Sequence, residues 1–453
     1  MKRFLSSFTK TIRACAALCV PAIWASQAAA EVPVKLSVEL DQPVLLAGGR
    51  QHAVIKVSLD GMRLPAATRP PVNLALVIDR SGSMSGDKIE YAKAAAIEAV
   101  RRLGRDDLFS LVIFDHEVQT IVPASHVVDP ARIEALIRGI EPRGNTAIYA
   151  GVTQGTAELR RNADDRRYTS RVLLLSDGQA NVGPSSPDDF ARLGRALGGE
   201  GFSVTTVGVG MDYSEDLMTR LATRSDGNTY FVASSRDLPH IFDAELGDVL
   251  NVVARQVVVT LDFPANVHPI AFVGREGSIN GRRAEFTLNQ IYGGQQKFAL
   301  VEVEVDARPA GERCEIARAR LTCADTAGHA GLSVATRSEA RFSRDQQEVI
   351  AAANRQVQSD YALNLTAVTK DRAVELVDAN RQADAANLLR ARNAELQKIA
   401  QLYSNGAVQS IVASNSIEAK RLESEGLSLY MRKTYRTSNA QVTAQQSNDA
   451  TTK

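Results

Sequence analysis

The sequence carries almost no net charge and very few cysteines. Lysine and arginine number 53 against 52 for aspartate and glutamate, so the formal net charge of the 453 residues is +1. Because the chain has no excess of positive charge and no basic patch interleaved with aromatic residues, we expect neither nucleic acid nor an anionic membrane as a partner. Apolar residues make up 44% of the chain, which is enough for real hydrophobic cores. A chain of this length predicts about three domains.

Two of the four cysteines, Cys314 and Cys323, fall outside the N-terminal segment. They lie in a stretch that alternates partly like a single strand, and an extended strand would hold them roughly 30 Å apart. A disulfide needs Cα atoms within about 7 Å of each other. The sequence therefore leaves three possibilities open: a bridge across an intervening turn, a bridge to another molecule, or two free thiols.

The chain also lacks a long apolar run after its N-terminus, and no later segment is predicted to cross a membrane. Residues 1–30 have the pattern of a signal peptide, with a basic start, a short apolar stretch from Ala14 to Trp24, and small residues before Glu31. Leu18 precedes Cys19, so there is no good lipoprotein signal. We expect an exported chain, periplasmic or secreted, and the alternative is a retained N-terminal anchor.

An apolar run from Asn73 to Ile78 leads into an acidic and hydroxylic turn that contains Asp79, Ser81 and Ser83. The run is short and aliphatic, which predicts a buried parallel strand. Asp79 then lies at the carboxyl end of the strand, the edge where open α/β sheets bind ligands. One carboxylate and two hydroxyls are hard oxygen ligands, which suit Mg²⁺, Ca²⁺ or Mn²⁺ and are poor for zinc.

Two later stretches offer matching oxygen atoms. A second apolar run, residues 172–176, ends at Asp177, and a glycine-containing loop between the two runs presents Thr146 just before a helix. Each residue also has a local explanation, because Ser81, Ser83 and Thr146 can cap helices and Asp177 can belong to a turn. Their occurrence together at strand ends favours a shared metal site over five separate local roles.

Taken together, these stretches resemble the von Willebrand factor type A (vWA) domain and its metal-ion-dependent adhesion site. The resemblance covers about residues 72 to 253 and implies a Rossmann-like strand order, with the site where that order reverses. It implies Mg²⁺, or Ca²⁺ or Mn²⁺, as the ion and a protein ligand that contributes an Asp or Glu carboxylate. The family's five metal positions correspond to Asp79, Ser81, Ser83, Thr146 and Asp177.

The pattern of apolar residues divides the rest of the chain. Strand and helix patterns alternate within the vWA region, which predicts a doubly wound, mostly parallel sheet. Before and after this α/β region, apolar and polar residues alternate one by one, as they do in half-buried strands. These outer strands predict a β-sandwich into which the α/β region is inserted. A similar split arrangement occurs in inter-alpha-trypsin inhibitor heavy chains, and a helical hairpin turning near Asn380 is expected further on. The predicted organisation is a signal peptide at 1–30, sandwich strands at 31–71, the vWA domain at 72–253, further sandwich strands at 254–342, an α-helical region at 343–436 and a disordered tail at 437–453.

The sequence predicts a cation-dependent protein-binding module and not an enzyme. No Gly-x-Gly-x-x-Gly follows the first strand of the α/β region, and no cysteine or histidine falls inside the motif. A metal-dependent hydrolase is one alternative, with His116 as the nearest candidate base, although a solvated loop histidine is the simpler interpretation. A structural cell-envelope assembly factor with metal-independent binding is the other alternative.

Overall fold

The computed structural model describes residues 32–63, 70–165, 167–325 and 331–446. The predicted signal peptide lies outside the described residues. Three strands open the described part of the chain: β1 (Val34–Leu40), β2 (Val44–Leu46) and β3 (Gln51–Gly61). β1 pairs antiparallel with β3, and the sheets to which these strands belong are completed by strands that begin at Val252.

An α/β unit of six strands and six helices comes next. Its strands are β4 (Val72–Asp79), β5 (Leu108–Phe114), β6 (Val118–His126), β7 (Thr169–Ser176), β8 (Ser203–Val209) and β9 (Thr229–Val232). Its helices are α1 (Asp87–Arg102), α2 (Pro130–Arg138), α3 (Ile148–Arg160), α4 (Pro187–Gly199), α5 (Glu215–Arg224) and α6 (Leu238–Val249). The strand order is β6-β5-β4-β7-β8-β9, and every pair is parallel except β5 with β6.

The strand order reverses between β4 and β7. The chain runs outward from β4 to β6 on one side and from β7 to β9 on the other, which creates a crevice at the carboxyl ends of the two central strands. Helices α1, α2 and α6 pack on one face of the sheet and α3, α4 and α5 on the other. All eight residues of β4 are buried because both faces are covered. The predicted doubly wound, mostly parallel sheet is confirmed.

The chain then returns to the sandwich. Its later strands are β10 (Val252–Asp262), β11 (Val267–Val273), β12 (Ser278–Asn280), β13 (Arg283–Tyr292), β14 (Gln296–Val305), β15 (Arg313–Ala324) and β16 (Leu332–Ser343). They complete a four-stranded sheet, β1-β3-β14-β11, and a six-stranded sheet, β12-β13-β10-β15-β16-β2, which enclose one apolar core. The predicted insertion of the α/β unit into a β-sandwich is therefore confirmed. Cys314 and Cys323 both lie on β15 as free thiols.

Among the described residues, five helices follow the sandwich, in agreement with the predicted C-terminal α-helical region. They are α7 (Gln346–Ala351), α8 (Arg355–Asp378), α9 (Gln382–Leu402), α10 (Gly406–Glu425) and α11 (Leu429–Ala444). The hairpin turn lies at Asn380, as predicted, and the side chain of Asn405 caps α10. Gly426 takes a positive φ of 76° and separates α10 from α11. No helix among the described residues is long and apolar enough for a membrane span.

The prediction of a disordered tail from residue 437 is wrong for residues 437–446. Helix α11 continues to Ala444, and the polar side chains that suggested disorder are used in contacts with the α/β unit. The side-chain oxygen of Gln446 accepts a 3.0 Å hydrogen bond from the backbone N–H of Thr229, and Gln441 donates a 2.9 Å bond to the carbonyl of Thr229. These glutamines satisfy backbone groups on the edge strand β9. Residues 447–453 lie outside the described residues.

Candidate metal site

The carboxyl ends of β4 and β7 bring two aspartates to one edge of the sheet. The strands are adjacent and parallel, with Ile78 opposite Leu175, so Asp79 ends one strand close to where Asp177 follows the other. Both aspartate side chains are fully buried. Burial of two carboxylates side by side is costly unless a positive charge or hydrogen-bond donors compensate them.

Hydroxyl groups from the turn after β4 bridge the two aspartates. The Ser83 hydroxyl donates a 2.8 Å hydrogen bond to Oδ1 of Asp177, and the hydroxyl oxygens of Ser81 and Ser83 lie 3.1 Å apart. The backbone N–H of Ser81 donates a 2.7 Å bond to Oδ1 of Asp79. Four of the five predicted residues therefore form one continuous chain of contacts.

Thr146, the fifth predicted residue, is held against the segment that follows Asp177. A Cβ atom added at Gly178 would lie 2.9 Å from the Thr146 hydroxyl oxygen, so this close approach requires glycine. The backbone N–H of Thr146 donates a 2.8 Å bond to the Asn181 side chain, and its carbonyl accepts a 3.1 Å bond from the N–H of Asn181. The structure thus places all five predicted residues at the same edge of the sheet.

An ion-pair cluster fastens the loop that carries Thr146. The buried carboxylate of Asp115 lies 2.8 Å from Nε of Arg80 and 3.0 Å from Nε of Arg143, and the N–H of Arg143 donates a 2.7 Å bond to the carbonyl of Arg80. Burial opposes the charged form of Asp115, but the N–H of Glu117 and the two guanidinium groups outweigh it and lower its pKa. The cluster ties the turn after β4, the end of β5 and the Thr146 loop together.

His116 belongs to this cluster. Asp115, His116 and Glu117 are the one set of three close metal-ligating side chains of the histidine, cysteine or carboxylate type in the part of the chain that the structure describes. His116 is half exposed, and its Nδ1 lies 3.0 Å from Oδ1 of Asp115. Since Arg143 pairs with both carboxylates, the set is an ion-pair cluster and we assign it no metal.

Two residues of the site were missed by the sequence analysis. The Ser176 hydroxyl donates a 2.5 Å bond to Oδ2 of Asp79, and the ammonium of Lys88 contacts Oδ2 of Asp177. Ser176 could have been found because it directly precedes Asp177 on the strand. Lys88 also leaves a signal, because a cation in the first turn of a helix opposes the helix dipole and calls for a nearby carboxylate.

The donor set fits a hard divalent cation. Two carboxylates and three hydroxyls are all oxygen ligands, and no thiol or imidazole belongs to the set. Burial raises the pKa of Asp79 to about 6; hydrogen bonds from Ser176 and Ser81 oppose this rise, and the charge of Asp177 adds to it. With two carboxylates and one ammonium, the residues leave a net negative charge that a cation would compensate.

A doubly wound sheet with this oxygen-rich crevice at its switch point defines the class of protein. Residues 73–244 match the family model described as von Willebrand factor type A domain, so the chain contains a vWA domain. An uncharacterized protein of Synechocystis sp. is 28% identical over 248 residues, which cover 52% of this chain and 58% of that protein. Inter-alpha-trypsin inhibitor heavy chain H3 of Homo sapiens is 26% identical over 235 residues, which cover 49% of this chain and 26% of the heavy chain. The chain thus spans only part of the length of either relative.

Solved structures show the same fold beyond the vWA domain. A von Willebrand factor type A protein from Catenulispora acidiphila has a TM-score of 0.61 at 18% identity, with 80% of this chain and 88% of that chain covered. The ArnB paralog VWA2 from Sulfolobus acidocaldarius has a TM-score of 0.56 at 14% identity, with 90% and 98% covered. At these identities the likeness concerns the fold alone.

Proposed function

We propose that this protein binds a protein partner through a divalent cation held at the carboxyl edge of the vWA sheet. The observation that carries the proposal is the convergence of oxygen donors from three separate stretches of the chain, closed by the bond from Ser83 to Asp177. The residues proposed to hold the cation, directly or through water, are Asp79, Ser81, Ser83, Thr146 and Asp177.

The chain's own residues prepare the site for a partner. Ser81 and Ser83 present neutral oxygens from the turn after β4, while Asp79 and Asp177 supply the charge. Mg²⁺ takes about six oxygen ligands and usually keeps water among them, so the bound ion would offer an exchangeable position to an Asp or Glu carboxylate of the partner. Mg²⁺ is the proposed ion, with Ca²⁺ and Mn²⁺ as the other hard cations that suit the same ligands.

Two features favour binding over the metal-dependent hydrolase. The candidate base, His116, is half exposed, and its Nδ1 lies 3.0 Å from Oδ1 of Asp115, which is not one of the five oxygen donors. The family that the match identifies is one of metal-dependent adhesion and interaction modules. We further propose an exported location, periplasmic or secreted, and its support is the signal-peptide pattern in the sequence of residues 1–30.

Calorimetric titration with MgCl₂ tests the cation site. We expect wild-type protein to bind Mg²⁺ and Asp79→Asn to lose the binding while keeping the circular dichroism spectrum of the wild type. Asp262→Asn is the matched control, because Asp262 is an exposed aspartate that pairs with Arg283 on the sandwich. Equal affinity in folded Asp79→Asn and wild type would refute the site.

A second experiment tests the binding mode. Affinity capture from envelope extracts, with Mg²⁺ and with EDTA, is expected to retain a partner only when the cation is present and Asp79 is intact. Capture that survives both EDTA and Asp79→Asn would instead favour the structural assembly factor with metal-independent binding.

A further inference from the structure

Lys88 holds its positively charged ammonium against Asp177, one of the two buried carboxylates. It is the second residue of α1, and its ammonium contacts Oδ2 of Asp177 while Ser83 donates to Oδ1 of the same side chain. Both oxygens of Asp177 therefore have a donor. The Lys88 side chain is 27% exposed and Asp177 is fully buried, so the pair lies at the border between the crevice and solvent.

Among the described residues, the ammonium of Lys88 is the cationic group that forms an ion pair with one of the two aspartates. Within the described ranges, no other lysine or arginine lies in ion-pair distance of Asp79 or Asp177. The partners of Asp79 are neutral: the hydroxyl of Ser176 and the N–H of Ser81. In the part of the chain that the structure describes, the ion-paired positive charge at the two buried carboxylates therefore comes from Lys88, through its contact with Asp177.

The path of the lysine stem is set by the fold. From the first turn of α1 the stem reaches toward the segment after β8, where a Cβ atom added at Gly210 would lie 3.5 Å from both Cε and Nζ of Lys88. A lysine at this position is destabilising by itself, because its positive charge lies at the positive end of the helix dipole. The contact with Asp177 offsets this unfavourable interaction, so the ammonium of Lys88 is more stable in the crevice than in water.

We propose that Lys88 is a built-in competitor of the divalent cation. Its ammonium neutralises Asp177 when the cation is absent, and its charge opposes the cation for the same carboxylate. The site therefore stays folded without a metal and fills only when the cation concentration is high enough to overcome the tethered charge. This inference rests on the proposed function, because it concerns how tightly the same five residues hold their ion.

Lys88→Met in the full chain removes the charge and keeps most of the apolar stem. In a titration with MgCl₂ we expect its affinity to exceed that of the wild type by roughly tenfold, the size of effect that one neighbouring charge has on a carboxylate. Lys93→Met is the matched control, because Lys93 lies on the same helix and pairs with Glu90 outside the site. Its Mg²⁺ affinity should equal that of the wild type.

A second measurement needs no bound metal. In EDTA, Lys88→Met should have a lower melting temperature than wild type and Lys93→Met, because Asp177 loses its counter-charge, and Mg²⁺ should restore it. If Lys88→Met does not fold in EDTA, Lys88→Gln keeps a hydrogen-bond donor for Asp177 without the charge and should also bind Mg²⁺ more tightly. Lys88→Arg keeps the charge and should bind Mg²⁺ as weakly as the wild type.

Two results distinguish the competitor role of Lys88 from the cation site itself. A wild-type protein that binds no Mg²⁺ contradicts the proposed function. A wild-type protein that binds Mg²⁺, together with Lys88→Met and Lys88→Gln variants that bind it equally or more weakly, overturns the competitor role alone.

Discussion

Ser83 and Asp177 lie 94 positions apart in the chain, and a 2.8 Å hydrogen bond joins the serine hydroxyl to the buried aspartate. The bond links the turn after β4 to the end of β7, the two strands between which the sheet order reverses. Hydrogen bonds to charged groups contribute about 1.5–3 kcal/mol. The contact therefore holds the exposed turn after β4 against the end of β7, and it fixes the distance between the Ser83 and Asp177 oxygens.

The first prediction concerns this bond. Ser83→Ala should weaken Mg²⁺ binding by at least about tenfold, because it removes a proposed ligand and the group that orients Asp177. Ser85→Ala is the control, since the Ser85 hydroxyl donates to the carbonyl of Gly82 and not to the site. Isothermal titration of both variants is the measurement, and equal losses of affinity would contradict a specific role for Ser83.

The second prediction concerns Gly178. In Gly178→Ala the new methyl group would crowd the Thr146 hydroxyl, which lies 2.9 Å from the ideal Cβ position, so the Thr146 loop must shift. We expect weaker Mg²⁺ binding in a protein that still folds. Gly199→Ala serves as the control because a Cβ there meets nothing within 4 Å. Wild-type affinity in folded Gly178→Ala would show that the position of Thr146 is not critical.

The third prediction concerns a buried ion pair at the opposite end of β7. Arg171 contacts Glu245 of α6 and donates a 2.8 Å bond to Gln290 of β13, which joins the α/β unit to the sandwich. Arg171→Met should cost about 3–5 kcal/mol of unfolding free energy, because it leaves the Glu245 charge buried without its partner.

Denaturant unfolding followed by circular dichroism measures that loss. Arg160→Met removes an arginine from a pair with Glu200 in which both side chains are more than one-third exposed, and exposed pairs contribute about 0–1 kcal/mol. Similar losses in the two variants would contradict the proposed importance of burial.

The fourth prediction concerns pH. Burial raises the pKa of Asp41 to about 6 from 3.8, while the 2.8 Å bond from the N–H of Val54 opposes the rise. The folded protein therefore binds this proton more tightly than the unfolded chain, so the stabilisation is present below pH 3.8 and is lost as pH rises through 6. In Asp41→Asn this part of the pH dependence should disappear.

The difference in unfolding free energy between wild type and Asp41→Asn should change by up to about 3 kcal/mol across that window. Urea titrations at several pH values between 3.5 and 7 provide the measurement. Asp262→Asn, at a position where the side chain is 54% exposed, should leave the wild-type pH profile unchanged. A constant difference between wild type and Asp41→Asn would show that Asp41 does not titrate in this range.

The strand ends were predictable because their signal is local. Both β4 and β7 are aliphatic runs followed by an aspartate at or just after the strand end. The sandwich strands on either side of the α/β unit are indicated by apolar and polar residues that alternate along the chain. The resemblance to the vWA family then supplied what local pattern does not contain, namely that these two strands are neighbours. The fold class and the five candidate ligands follow from these two sources together.

Contacts made by long side chains were not predictable in the same way. A lysine in the first turn of α1 indicates that a carboxylate lies near Lys88, but the sequence does not show that this carboxylate is Asp177. The polar residues beyond 437 have the composition of a solvent-exposed tail, and the sequence does not show that β9 lies beside them. In both cases the polar group serves a partner more than 80 positions away in the chain. Composition reports the polarity of such residues but not the distant group that satisfies it.

Gln441 of α11 and Gln446, which follows the helix, affect how this protein is handled in the laboratory. They form hydrogen bonds with the backbone N–H and carbonyl of Thr229 on β9, the edge strand of the vWA sheet. Without these bonds, the unpaired backbone groups of β9 could pair with a strand from a second molecule. A recombinant fragment limited to the vWA domain would lack α11 and Gln446, so the edge of β9 would be exposed and the fragment would tend to self-associate. In a binding experiment, this self-association would resemble adhesion to a partner.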